Sequence, residues 1–365
     1  MADITYQQAS RHAVLDEAMP AHGGDLHWAS QTFGYAADEW LDLSTGISPW
    51  SWLVPEVPAH IWRQLPQSDD GLREVAAGYY NCAATQLLTV PGTQYGIACI
   101  PELVEKGYVA IPAHGYQEHQ QAWQKAGHRL CYYKNVDELL TLVTSKKVQY
   151  VVVINPNNPT GELLASATLN VIQESLYRYW GNGGLLLVDE AFMDMTPDES
   201  VVKPNMPNNI IVLRSIGKFF GLAGIRLGFV VSNEFWKQRL AALQSPWSIN
   251  SPALFIGQQA LADYQWIALQ RQRLQHQSKV MEALLENALG LKVHNSGLFL
   301  TLWGTVEQCL EIFAYCARLA VLLRYGKPFH QDIDSSQQSQ GAWIRFGLPG
   351  EQLDRVNVIF QKYTL

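Results

Sequence analysis

Charge is scarce in this sequence. Asp, Glu, Lys and Arg make up 16% of its 365 residues, with a formal balance of −7 at pH 7 and a pI near 5.8. No basic run is present, which argues against a nucleic-acid partner, and an acidic chain has no general attraction for an anionic membrane surface. No apolar run reaches the ~20 residues that a membrane-spanning helix requires. The opening MADITYQQASRHAVLDEAMP has no apolar core of the kind a secretory signal carries. The five cysteines, Cys82, Cys99, Cys131, Cys309 and Cys316, form no CxxC pair. Free, reduced thiols are therefore expected, not a disulfide framework or a zinc site. His114 and His119 lie close together in AHGYQEH, but with Glu118 they make no strong metal-ligand set and are expected at the surface or facing a substrate. Internal repeats and low-complexity tracts are also lacking. These absences together lead to the expectation of a soluble cytoplasmic protein.

What is present is a globular composition, 48% apolar, in a chain longer than one ordinary domain. The first residues read as an arm, with AHGGDLHWASQTFG rich in glycine turns and poor in periodicity, and WLDLSTGISP follows as a short strand and loop. DDGLREVAAGYYNC reads as a helix with Asp69 or Asp70 near its start. Strand-like LLTVPG, GYVAIPA, HRLCYY, VQYVVVINP, GLLLVDEAF and NIIVLRS then alternate with segments of helical period. VQYVVVINP is a continuous β-branched run, as a buried parallel strand should be. The alternation predicts an α/β fold with a mostly parallel central sheet in a large domain. Beyond it lie a long helical segment, YQWIALQRQRLQHQSKVMEALLENAL, with room for a bend, and a smaller α+β pattern. The expected organisation is an N-terminal arm or substrate loop over 1–40, a large domain over 41–260 and a small domain over 261–365.

In an open α/β sheet, ligands collect beyond the carboxyl ends of the strands. INPNNPTG follows one buried strand and offers Asn155, Asn157 and Asn158 to a planar ligand, or forms an ordinary turn. LLLVDEAF ends another strand on Asp189 and Glu190, whose side chains point to opposite faces if the strand is regular. An acid there can hold a ring nitrogen in its protonated state. VLRSIGKFFGLAGIRLGFV places a single ammonium, Lys218, in apolar surroundings, where it either snorkels to water or becomes a reactive amine able to form a Schiff base with an aldehyde. Ser215 and Arg226 near it, with the glycine turn of VPGTQYG at Gly92 and Thr93, are suited to surround a phosphate. A phosphate cup, an acid for a ring nitrogen, an amide turn and an imine-forming lysine together describe a site for pyridoxal 5'-phosphate.

NPNNPTG, DEAF and SIGKFFGLAGIRLGF resemble the fold-type I pyridoxal-phosphate aminotransferases of class I/II, most densely from about Leu88 to Val231 and again at RFGLP. Within that family the chain is similar to the histidinol-phosphate aminotransferase branch. HGGD, WLDLSTGISP, RQLPQ and VDEAFMD look closer still to the threonine-phosphate decarboxylases of cobalamin biosynthesis. The resemblance implies that Lys218 binds the coenzyme aldehyde, Asp189 its ring nitrogen and Asn158 its phenolic oxygen, while Tyr116 stacks on the ring. Gly92, Thr93, Ser215 and Arg226 would bind the coenzyme phosphate, with Gln94 assisting. Arg345 would bind the substrate carboxylate, helped by the amides around Gly46 and Ile47. His22, Gly23 and Gly24 would close over the substrate phosphate. A small phosphorylated amino acid as substrate and a homodimer with shared active sites are also implied.

Two positions depart from the family pattern. Phe192 stands where many aminotransferases have tyrosine, and Leu65 where the histidinol-phosphate branch has a tyrosine that reaches the partner's cofactor phosphate. The expected reaction is decarboxylation of L-threonine O-3-phosphate to (R)-1-aminopropan-2-yl phosphate. The alternatives are transamination of histidinol phosphate or a related amino acid, and a non-catalytic scaffold that keeps the fold.

Overall fold

The computed structural model describes residues 19–67, 71–327 and 341–363. The first eighteen residues of the expected arm, and the proposed acidic helix start at Asp69 or Asp70, lie outside the described residues. Two compact units are present, one from Trp50 to Gln272 and one combining Met1–Pro49 with Arg273–Leu365. The divisions expected after residues 40 and 260 thus fall elsewhere, and the start of the chain groups with its end.

The strands in chain order are β1 (Leu41–Asp42), β2 (Leu87–Val90), β3 (Tyr108–Pro112), β4 (Arg129–Tyr133), β5 (Tyr150–Ile154), β6 (Leu185–Asp189), β7 (Ile210–Ser215), β8 (Gly228–Val231), β9 (Val293–Asn295), β10 (Phe299–Gly304), β11 (Val321–Leu322), β12 (Arg324–Gly326) and β13 (Ala342–Gly347). The first unit is built on a seven-stranded sheet of order β2-β8-β7-β6-β5-β3-β4. The pairs from β7 through β6, β5 and β3 to β4 are parallel, and β8 alone runs against its neighbours β2 and β7. β5, β6 and β7 are buried along their whole length. A strand covered on both faces cannot show polar alternation, which is why VVVI and LLLV read as unbroken apolar runs.

Helices form where the period predicts them. Ser166–Trp180 buries Leu169, Ile172 and Leu176, spaced as one helical face requires. Val136–Thr144 starts at Asn135, whose side chain accepts a hydrogen bond from Glu138 N, and buries Leu139 and Val143. One core joins Ile111, Val152, Leu187, Ile211 and Val230 from the sheet to Trp123 and Trp236 from helices. At roughly 1.5–3 kcal/mol for each large apolar side chain removed from water, this layer holds the strand ends in fixed register.

The second unit carries an antiparallel sheet of order β12-β13-β10-β9 and the parallel pair β1-β11. Tyr264–Leu289 is a single helix of 26 residues with no break at the expected bend. The stretch read as an irregular arm contains a helix, Leu26–Phe33, because Asp25 of HGGD caps it by accepting from Trp28 N at 2.9 Å. No helix among the described residues is long and apolar enough to cross a membrane.

Candidate active site

The carboxyl ends of β2, β3, β5, β6 and β7 deliver five short loops to one cleft of the first unit. Sheet order explains the convergence. β3 leads outward to β4 while β5 returns on its other side, so the connections diverge and leave a crevice at the strand ends. The cleft holds a cavity of about 140 Å³ that opens to solvent. Gly92, Thr93, Gln94, Tyr116, Asn158, Asp189, Ser215, Lys218 and Arg226 all line it, with Ala191, Phe192, Gly217 and Ala223.

The three asparagines of NPNNPTG divide by role. Asn155 exchanges hydrogen bonds with the backbone of Leu164, at 2.9 and 2.8 Å, and Asn157 donates to His114 O at 2.7 Å. These two shape the turn, and Asn158 is the one that lines the cleft. Asp189 is buried, with Oδ1 accepting from Ala191 N at 3.1 Å and Oδ2 meeting His119 Nε2 at 2.9 Å. Each carboxylate oxygen retains a lone pair for a further donor. His119 is fully buried, contrary to the surface or substrate-facing position expected for it. It keeps Asp189 turned and selects its own Nε2–H tautomer, since only a donor satisfies the carboxylate.

Tyr116 donates to Gln94 Oε1 at 3.4 Å, and Gln94 Nε2 donates to Glu118 Oε2 at 3.0 Å. Burial, then Glu118 and Asp189, push the Tyr116 phenol up to about 12 despite the opposing pull of Arg226. It therefore remains a neutral donor across physiological pH. Lys218 is half-buried, its Nζ 5.6 Å from the centre of the Phe192 ring. The phenylalanine thus presents an aromatic face to the amine where a tyrosine would add a hydroxyl. Gly92 has φ 78°, and a Cβ there would stand 2.8 Å from Arg226 Nη2. The guanidinium fills the space that a side chain at 92 would need.

An amine, a carboxylate, a guanidinium, hydroxyls of Thr93 and Ser215, and an aromatic ring line one cleft. This donor set fits pyridoxal 5'-phosphate, whose aldehyde, ring nitrogen, phosphate and π-face call for those groups.

The second unit gathers a separate set. Arg345 on β13 is buried, and its Nη2 donates to Ser44 O at 2.6 Å. Gly46 and Ile47 follow Ser44 in the same loop. Gly23 lies so close to Ser44 that a Cβ would meet its carbonyl oxygen at 2.3 Å, and Gly24 N donates to Ser44 Oγ at 2.7 Å. The exposed His22 precedes them. Arg324 on β12 is the cross-strand partner of Arg345. It donates through Nη2 to Ala21 O at 2.7 Å and through Nη1 to Pro20 O. Burial, then the neighbouring Arg324 charge, pull the Arg345 guanidinium down to about 9, with Asp42 opposing, and burial also lowers Arg324. Like charges opposite each other on a sheet repel, so this pair favours an incoming anion.

Two residues with evident parts here escaped the sequence. His119 was misplaced because a lone histidine carries no mark of burial. Arg324 was passed over because its register opposite Arg345 depends on a strand pairing across a long sequence gap. Leu65, the other departure, is largely exposed.

The family described as aminotransferase class I and II matches residues 63–358 of the chain. A threonine-phosphate decarboxylase of Pseudomonas aeruginosa is 38% identical over 334 residues, spanning 92% of this chain and 94% of its own length. A second, from Sinorhizobium sp, is 39% identical over 282 residues, or 76% of this chain and 82% of its own. Among solved structures, a histidinol-phosphate aminotransferase from Sinorhizobium meliloti in complex with pyridoxal-5'-phosphate superposes with a TM-score of 0.72 at 16% identity, covering 95% of this chain and 96% of that one. At that identity the likeness speaks to the fold.

Proposed function

The chain belongs to the class I and II aminotransferase family, and on that premise we propose that it is a pyridoxal-phosphate enzyme that decarboxylates L-threonine O-3-phosphate to (R)-1-aminopropan-2-yl phosphate in cobalamin biosynthesis. The enzyme class and coenzyme follow from the family and from the cleft that holds Lys218, Asp189 and Arg226 together. The substrate reading draws on the two decarboxylase relatives. The observation that carries it in the structure is the pairing of the buried Arg345 with the half-buried Arg324 across two strands. Two adjacent cations suit a substrate that carries a phosphate better than one whose only anion is a carboxylate.

The coenzyme, when bound, supplies a protonated pyridine that accepts the electron pair left as carbon dioxide departs. Asp189, steadied by His119, keeps a proton on that ring nitrogen. Arg226, Ser215 and the amides at Gly92 and Thr93 hold its phosphate, and Asn158 takes its phenolic oxygen. Gln94, which accepts from the Tyr116 hydroxyl, would hold that side chain for stacking on the ring. Lys218 would hold the coenzyme aldehyde, and its amine would be the group placed to carry a proton at the substrate α-carbon. Arg345 and Arg324 receive the anionic end of the substrate, with His22, Gly23, Gly24, Gly46 and Ile47 bordering it. We assign the enzyme to the cytoplasm, where the free thiols of its five cysteines stay reduced. We also assign it a homodimeric form, which would cover the exposed Leu53, Trp62, Leu65 and Trp247.

Purified protein with coenzyme and threonine O-phosphate should release carbon dioxide and aminopropanol phosphate in equal amounts, and Lys218→Ala should release neither. Formation of a keto product dependent on 2-oxoglutarate, without carbon dioxide, would show an aminotransferase instead.

A further inference from the structure

Asp189 and Glu190 are consecutive at the end of β6, and Arg214 and Ser215 are consecutive at the end of its parallel neighbour β7. Side chains alternate along a strand. Asp189 and Ser215 line the cleft, and Glu190 and Arg214 turn away from it. Behind the cleft, Arg214 Nη1 donates to Glu190 Oε2 at 2.7 Å and Nη2 donates to Asp194 Oδ1 at 2.8 Å. None of the three side chains is more than 3% exposed. The carboxylates are held in turn: Glu190 accepts from Ser200 Oγ at 2.6 Å and Val201 N at 2.9 Å, and Asp194 accepts from Tyr79 Oη at 2.9 Å. Arg271 Nε donates to Asp194 O at 2.7 Å. The Tyr80 ring centre lies 4.5 Å from the guanidinium carbon. Burial works against the Arg214 charge, but Asp194 and Glu190 outweigh it and hold the guanidinium cationic.

A buried ion cluster adds little stability over an apolar packing of the same volume. What it supplies here is geometry. A planar guanidinium reaches two carboxylates at fixed spacing, one at the end of β6 and one in the turn that follows. We propose that Arg214 is a positioning residue whose two-pronged hold on Glu190 and Asp194 fixes Asp189 relative to Ser215 and Lys218, and so sets how the coenzyme ring is seated. This rests on the reading of the cleft as the coenzyme site.

Arg214→Lys keeps the charge but replaces the planar two-pronged fork by a single ammonium nitrogen, and Asp194→Asn keeps the Glu190 prong with a neutral isostere at the other. Urea melts of coenzyme-free protein identify conditions in which each variant is folded. Coenzyme is then titrated in by absorbance, and the induced circular dichroism of the bound chromophore is read at saturation. R214K should bind roughly tenfold more weakly, the scale of one charged hydrogen bond, with an altered dichroism band, and D194N should lie between it and the wild type. If R214K does not fold, D194N decides by the same two readouts. Folded variants that match the wild type in affinity and dichroism, differing only in the melt, make the cluster merely structural and overturn the proposal. A wild-type protein that takes up no coenzyme instead overturns the cleft reading, and this inference with it.

Discussion

Replacing Gly92 by alanine separates the cleft's stability from its grip on phosphate. Gly92 has φ 78°, and an added Cβ would stand 2.8 Å from Arg226 Nη2. The left-handed backbone costs an L-residue roughly 1–2 kcal/mol, which is charged to the fold. Carbon and nitrogen in contact need roughly 3.5 Å, so the guanidinium must retreat by about 0.7 Å. It can do so, because the bond from its Nη1 to Ala223 O is long, at 3.3 Å. A charge-assisted hydrogen bond is worth about 1.5–3 kcal/mol. At 1.4 kcal/mol per factor of ten, losing one weakens coenzyme binding by about 10- to 150-fold. The assay is a urea melt of the coenzyme-free variant beside an absorbance titration with pyridoxal phosphate. A variant that loses the expected stability yet binds within threefold of the wild type would refute the claim that Arg226 holds the phosphate.

His119→Leu nearly keeps volume while removing the donor to Asp189 Oδ2, so the coenzyme-free protein should lose about 1–3 kcal/mol in a urea melt, the cost of an unsatisfied buried acceptor; no loss would mean that the histidine does not hold Asp189. Arg345 has a folded pKa near 9 against an ordinary 12.5, so its buried charge opposes folding below pH 9, and that penalty is relieved as pH rises from 9 toward 12.5. Arg345→Gln removes this buried cation, so calorimetric affinity for threonine O-phosphate should fall about 10- to 150-fold, the worth of one charge-assisted hydrogen bond. Unchanged affinity would remove Arg345 from the binding site.

The large sheet was legible in the sequence because strands buried on both faces leave unbroken apolar runs, as at Tyr150–Ile154 and Leu185–Asp189. Most of the cleft residues were legible because they sit at or just past the end of such a run, where a parallel sheet delivers its loops; Arg226, which precedes β8, is the exception. Long-range pairing was not. β12 meets β13 across the segment 328–340, and nothing local in RYG announces that Arg324 will face Arg345. The helix at Leu26–Phe33 is masked in the sequence by the glycines before it, although Asp25, three residues before Trp28, is a residue type that caps helices. The role of Asn155 and Asn157 as braces for Asn158 required the turn to be seen, since all three are equal as letters.

The arginine pair also bears on which bond breaks. The resemblance assigns Arg345 to the substrate carboxylate, but a carboxylate loses its charge as it becomes carbon dioxide. A guanidinium bound to it would stabilise the ground state more than the transition state and so raise the barrier. The phosphate of threonine O-phosphate keeps its charge throughout, and contacts to it are as strong at the transition state as before. Two guanidinium groups placed side by side on β12 and β13 match a phosphate, with its several acceptor oxygens, at least as well as they match a carboxylate. Held by the phosphate, the substrate would be free to turn its carboxylate out of the ring plane, using remote binding energy to orient the bond that must break. On this reasoning, decarboxylation follows from the arginines taking the group that stays rather than the group that leaves, and threonine without its phosphate should lose turnover as well as affinity.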